Sequence, residues 1–241
     1  MPEHLADYQE GRVPKAIAEH ERIAEAYGNP SLHLSREVFE RIRAGDFTWE
    51  RDFQDLHPSP FGHALYAAGV NRLLEAAWSS TGTMASPHAL PISPVDSASY
   101  FHGRFPSLEE ARIVQGFQLV QRWIPDLPAK TRPGFVDVPT LVASFPGAEL
   151  KMHFHGTASG ILIASGPKTG VLLASCDGEP FRRFETATLW SQDLYLPWTL
   201  ILADDLPDGP HELALLLDRE CNPPAAALVI CRILINGVPA V

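Results

Sequence analysis

From residue 150 onward, short apolar runs are cut by turn signals at intervals that suit strands and little else. Leu150, Met152 and Phe154 alternate with Lys151, His153 and His155, the period-two pattern of a strand with one buried face. Further runs follow at Ile161–Ala164, Val171–Ser175, Leu200–Leu202, Leu213–Leu217 and Leu228–Ile235. Gly166-Pro167, Asp177-Gly178, Asp208-Gly209 and Asn236-Gly237 stand between or after them and favour tight reversals. The chain's 22 prolines also work against long helices in this half. The pattern predicts an antiparallel β-sandwich or jelly roll over residues 100–241.

The first third follows the other period. From Pro14, the residues Ile17, His20, Ala24 and Tyr27 recur at helical spacing, with Glu19, Glu21 and Arg22 opposite them. Pro14 suits a first turn and Gly28 a stop. Ser31–Leu34 reads as one buried strand. Ser35 then caps a helix from Arg36 to Ala44, which Gly45 ends. A third helix is expected from Pro60 to Trp78, with Phe61, Leu65, Val70, Leu73, Leu74 and Ala77 on its buried side. Residues 79–99 turn to Ser, Thr and Gly, then to Pro87, Pro91 and Pro94, and read as a linker. The expected fold class is α+β, with a helical part in residues 1–78 and an antiparallel β part in residues 100–241.

Composition narrows the function. The formal charge of −10 disfavours phosphate backbones, so nucleic acid is not expected as a partner. No run of about 18 apolar residues is present, so no membrane span is expected. The opening Met-Pro-Glu-His-Leu-Ala-Asp has neither a basic nor an apolar signal region, so no secretory leader is expected; the compartment stays open. Cys176, Cys221 and Cys231 form no zinc spacing and read as small core residues. His153 and His155 share a strand face, and His102 or His211 could join them around a metal. A polar outer face is the simpler reading, and no metal or cofactor is expected. Trp78, Trp123, Trp190 and Trp198 suit either sugar stacking or, more simply, packing.

The chemistry-bearing segment is Asp52-Phe-Gln-Asp-Leu-His57-Pro-Ser-Pro-Phe-Gly62-His-Ala-Leu-Tyr66. It places an imidazole on a loop just before a helix. Such a group can take a proton from a hydroxyl near neutral pH and return it to a leaving group. A nearby carboxylate would fix its tautomer.

This stretch resembles the last block of SGNH/GDSL-type ester hydrolases, Asp-x-x-His-Pro followed by Gly and the terminal helix. The run "HERIAEAYGNPSLHLSREVFERIRAGDFTW" resembles that family's preceding helix, final sheet strand and next helix. The resemblance covers residues 1–78 and implies the helical C-terminal remnant of an α/β SGNH domain, with His57 as general base. The family's acid lies three residues before the His, where this chain has Gln54. Asp55 is the favoured partner, Asp52 the other, and a dyad without either remains open. The family's Gly-Asp-Ser nucleophile block and its Gly and Asn oxyanion donors belong before this region, and none precedes residue 15. Ser59 is two residues from His57 on the same loop and cannot replace that serine. The chain is therefore expected to be an N-terminally truncated piece.

"FHGTASGILIASGPKTGVLLASCDGEP" and "LPDGPHELALLL" resemble β-sandwich modules attached to SGNH and carbohydrate esterases. Their glycines and Asp177 read as turn chemistry. The resemblances imply an ester hydrolase acting on a small-molecule or carbohydrate ester. The alternative is a non-catalytic carbohydrate-binding or structural module. A half-domain would also expose apolar surface and lean on the sandwich, self-associate or receive a missing N-terminal half.

Overall fold

A computed structural model describes residues 2–55, 57–79, 89–126, 128–220 and 227–237. Cys221 and the part of the expected linker at residues 80–88 lie outside them. The chain divides into two compact units, Met1–Ser97 and Ala98–Val241.

The first unit is helical: α1 (Pro2–Gln9), α2 (Lys15–Ala26), α3 (Leu34–Arg43), a π-helical turn at Trp49–Phe53 and α4 (Pro60–Ser79). Pro14 precedes α2, and Gly28 sits at positive φ just beyond it, as the sequence predicts. Two expectations fail. Ser31–Leu34 forms no strand: Leu34 opens α3, and its N–H closes a tight turn on Leu32 O at 3.1 Å. An extended segment needs a neighbour for its backbone groups, and no strand of this unit supplies one among the described residues. Ser35 is not a cap either. It is buried inside α3, its hydroxyl 3.2 Å from Tyr8 Oη.

Helix α4 also turns differently from the expected face. Gly62, Leu65 and Gly69 are buried, whereas Phe61, Val70, Leu74 and Trp78 are exposed. A helix apolar on most sides does not select its buried face by pattern. Close approach selects it here: a Cβ on Gly69 would lie 3.0 Å from a Leu34 methyl. Val38, Phe47, Phe53 and Leu65 form this unit's core.

Among the described residues, the second unit holds eleven strands in two antiparallel sheets. They are β1 (Gly103–Arg104), β2 (Arg112–Gln115), β3 (Phe117–Trp123), β4 (Val138–Ala143), β5 (Glu149–Gly156), β6 (Ala158–Ser165), β7 (Leu172–Cys176), β8 (Arg182–Phe184), β9 (Leu196–Ala203), β10 (Gly209–Leu217) and β11 (Leu228–Asn236). One sheet runs β3-β4-β11-β6-β9, with β1 beside β11; the other runs β2-β5-β10-β7-β8. The mixed α+β class stands. Buried side chains of both sheets, among them Leu141, Ile161 and Ile233 from one and Met152, Leu172 and Leu215 from the other, fall in a single apolar cluster. A smaller cluster gathers Trp123, Tyr195 and Cys231, so Trp123 packs as expected, and burial pushes the Cys231 thiol up to about 11.

Two glycines of the motif serve close packing rather than positive φ. A Cβ on Gly160 would lie 2.3 Å from Leu200 O, and one on Gly166 would lie 2.3 Å from the Tyr195 ring. Asp177 and Gly178 do take positive φ, 51° and 78°, in the turn between β7 and β8.

Candidate functional site

The loop bearing His57 is built between two caps. At its start Thr48 takes extended backbone angles and its hydroxyl accepts from Arg51 N at 3.3 Å. Asp52 answers by accepting from Thr48 N at 2.8 Å, a reciprocal arrangement like a capping box. Arg51 binds both Asp52 oxygens at 2.9–3.1 Å, and this guanidinium, with the Thr48 N–H, holds the carboxyl below its usual range. Asp52 is thus committed to the turn.

At the other end Ser59 caps α4. Its hydroxyl donates to Asp52 O and accepts from Gly62 N at 3.3 Å, and its own N–H donates to Phe53 O at 3.1 Å. Between the caps Phe53 is fully buried, its ring 5.1 Å from Trp49, 5.8 Å from Phe47 and 5.4 Å from Tyr66. Gly62 completes the anchor: a Cβ there would meet Pro58 Cβ at 2.6 Å and the Phe53 ring at 3.0 Å. Gln54 pivots the chain outward at φ 75°. Asp55 and His57 follow, two residues apart on one loop and both exposed to solvent. His57 is thus an exposed loop residue with capped segments on either side of it.

The second polar cluster joins β7, β10 and the turn after β7. His211 Nδ1 lies 2.7 Å from Asp177 Oδ2, and its Nε2 lies 2.8 Å from Pro207 O. Two acceptors face two ring nitrogens, so the doubly protonated ring fits best. The other Asp177 oxygen accepts from Glu212 N at 2.8 Å, and Asp177 N donates to Glu212 O at 2.8 Å. Burial works against the charged ring, but the bonds to Asp177 and Pro207 outweigh it and raise the His211 pKa. The His211 bond, then the Glu212 N–H, lower the pKa of Asp177.

Cys176, Asp177 and His211 are the one set of three His, Cys or carboxylate residues among the described residues whose donor atoms gather within 4.8 Å. Both His211 nitrogens are already engaged, and burial pushes the Cys176 thiol up to about 11, so the set reads as a structural clasp. His153 and His155 lie outside this set but line the same groove as Asp177 and His211, each 3.6 Å from a carboxylate, of Glu212 and Asp208.

The clasp has a pH signature. A raised histidine pKa contributes stability that is complete below 6.5, its ordinary value, and is lost as pH rises through the folded value. The lowered Asp177 contributes above its ordinary 3.8 and fails as pH falls through its folded value. Thermal midpoints of the β unit should therefore be highest between these two values and fall above 6.5. Asp177→Asn should flatten the alkaline fall; an unchanged profile would show that the pair does not couple to folding. Asp208 also faces His211, and the variant leaves its contribution in place.

The sequence offers His57 and Asp55 as candidates, and the caps around them do not stand out from it. Thr48 with Arg51-Asp52 is a legible local signal; the Ser59 bond to Asp52 O spans seven residues and is not.

No family model matches the chain, and no curated protein matches it. Two solved structures share its fold. One is a two-domain esterase (CEX) active on acetylated mannans, 16% identical, with a TM-score of 0.67 over 92% of this chain and 59% of that one. The other is a two-domain esterase (CEX) active on acetylated mannans co-crystallised with mannopentaose, 18% identical, with a TM-score of 0.66 over 92% of this chain and 58% of that one. The chain thus spans less than two thirds of either esterase, and the likeness is one of fold.

Proposed function

We propose that the chain is the C-terminal part of an SGNH/GDSL-type hydrolase of acylated carbohydrate. In this reading residues 1–78 belong to the hydrolase domain and residues 79–99 link it to a β-sandwich of residues 100–241. The observation that carries it is the doubly capped loop that presents His57 to solvent at the start of α4. The shared fold with two-domain esterases supports it.

His57 would accept the proton of a serine hydroxyl as that oxygen attacks the ester carbonyl. The imidazolium would then give this proton to the departing sugar oxygen, leaving an acyl-serine. Water attacks next, and His57 takes its proton and returns it to the serine as the acid leaves. Asp55, two residues before His57 on the same loop, would orient the ring. The serine and the oxyanion donors would come from a Gly-Asp-Ser-bearing segment, which residues 1–56 do not contain.

Tested in an enzyme assembled from this chain and such a segment, Asp55→Asn should lower kcat by about 10^4-fold with little change in KM. Asp52→Asn should instead lower the melting temperature and spare kcat. The reverse pattern would make Asp52 the partner, and two neutral results would leave a dyad. The rival reading is a non-catalytic carbohydrate-binding or structural module.

A further inference from the structure

The loop between β8 and β9 carries an exposed aromatic pair on a braced frame. Trp190 is 62% exposed and Trp198, on β9, is 37% exposed. Their ring centroids are 6.3 Å apart and their planes meet at 44°. Leu189 beside them is 84% exposed. Large apolar side chains so placed cost solubility unless they serve contact.

The loop is pinned where it could flex. Thr186 is buried; its hydroxyl donates to Gly170 O, and its carbonyl accepts from Ser165 Oγ at 2.6 Å. Buried Ser191 ties the turn, its hydroxyl donating to Thr188 O at 2.9 Å and accepting from Thr188 N at 2.8 Å. Beyond the turn, Lys130 N donates to Asp193 O at 3.0 Å and Tyr195 N donates to Lys130 O at 2.8 Å. These bonds hold the loop backbone, so little ordering of it is left to oppose binding.

We propose that Trp190 and Trp198 form a platform for a single twisted chain of neutral pyranose sugars. An indole face accepts the axial C–H groups of a sugar ring. Two indoles in one plane would suit a flat crystalline surface, whereas a 44° dihedral suits successive rings that rotate along a free chain. The chain's charge of −10 disfavours acidic glycans. A protein partner fits less well: two aromatic side chains together bury at most about 500 Å², and a stable interface takes about 800 Å² from each partner. The platform rests on the carbohydrate side of the proposed function and makes no use of His57.

The test is native affinity electrophoresis of the full chain through soluble glucomannan, xylan and mixed-linkage glucan, with tryptophan fluorescence in parallel. At least one soluble glycan should retard the chain and perturb its fluorescence, and crystalline cellulose should not remove it from solution. Trp190→Ala should weaken retardation about tenfold in Kd, the weight of one stacking contact. Trp190→Ala with Trp198→Ala should abolish it, and Trp190→Phe should keep most of it. Three results would overturn the platform: no retardation by any soluble glycan; full retardation of a double variant with an unchanged thermal midpoint; or a wild-type dimer that the double variant dissolves. His57→Ala should leave retardation untouched, so failure here is separable from failure of the esterase reading.

Discussion

Replacing Phe53 with alanine should destabilise the helical unit by about 3–5 kcal/mol, the usual cost of removing a fully buried aromatic ring. Phe53 is completely buried and touches Trp49, Phe47, Phe61 and Tyr66 through its ring. The core around it is small, with Val38, Phe47 and Leu65 as its other fully formed members. A loss of this size is comparable with the whole stability of a small domain, about 5–15 kcal/mol. Far-UV circular dichroism should show the helical signal melting early while the β unit keeps its own transition. A helical transition at the parent temperature would mean that the aromatic cluster does not hold the His57 loop. Phe53→Leu, which keeps apolar volume but loses the stacked rings, should fall between the two.

This coupling matters for the proposed site because the anchor and His57 occupy one stretch of chain. The Phe53 carbonyl accepts from Ser59 N, the Asp52 carbonyl accepts from Ser59 Oγ, and Gly62 leaves room for Pro58 against the Phe53 ring. The Gly that follows His-Pro in the motif is therefore a packing requirement of the loop.

Much of the β unit was legible in the sequence because alternation reports burial directly. Leu150, Met152 and Phe154 are buried and their polar neighbours on β5 face outward, as the pattern requires. Asp177-Gly178 makes the expected reversal. Strand β2 was less plain, since this short edge strand, Arg112–Gln115, is exposed along its length and carries no alternation. In the helical unit, local signals located α2 and α4 but misjudged what faces inward. Ser35 has a cap's chemistry, yet it lies buried within α3. Phe61, Val70 and Leu74 are apolar enough for a core, yet α4 buries its glycines at 62 and 69. Those outcomes depend on which helix approaches which, and propensity does not encode that. The site divides in the same way. A short motif proposes His57 and Asp55, whereas the Asp177–His211 clasp and the Trp190–Trp198 pair join residues 34 and eight positions apart through the fold.

The proposed function requires His57 as the base in ester hydrolysis. The most direct measurement is p-nitrophenyl acetate turnover by the assembled enzyme, this chain with a Gly-Asp-Ser-bearing segment, comparing the parent with His57→Ala. The account predicts turnover in the parent and a fall in kcat of about 10^4-fold or more in the variant, with the fold unchanged by circular dichroism. It also predicts no turnover by the 241-residue chain alone. Equal turnover by parent and His57→Ala would contradict the assignment of the base.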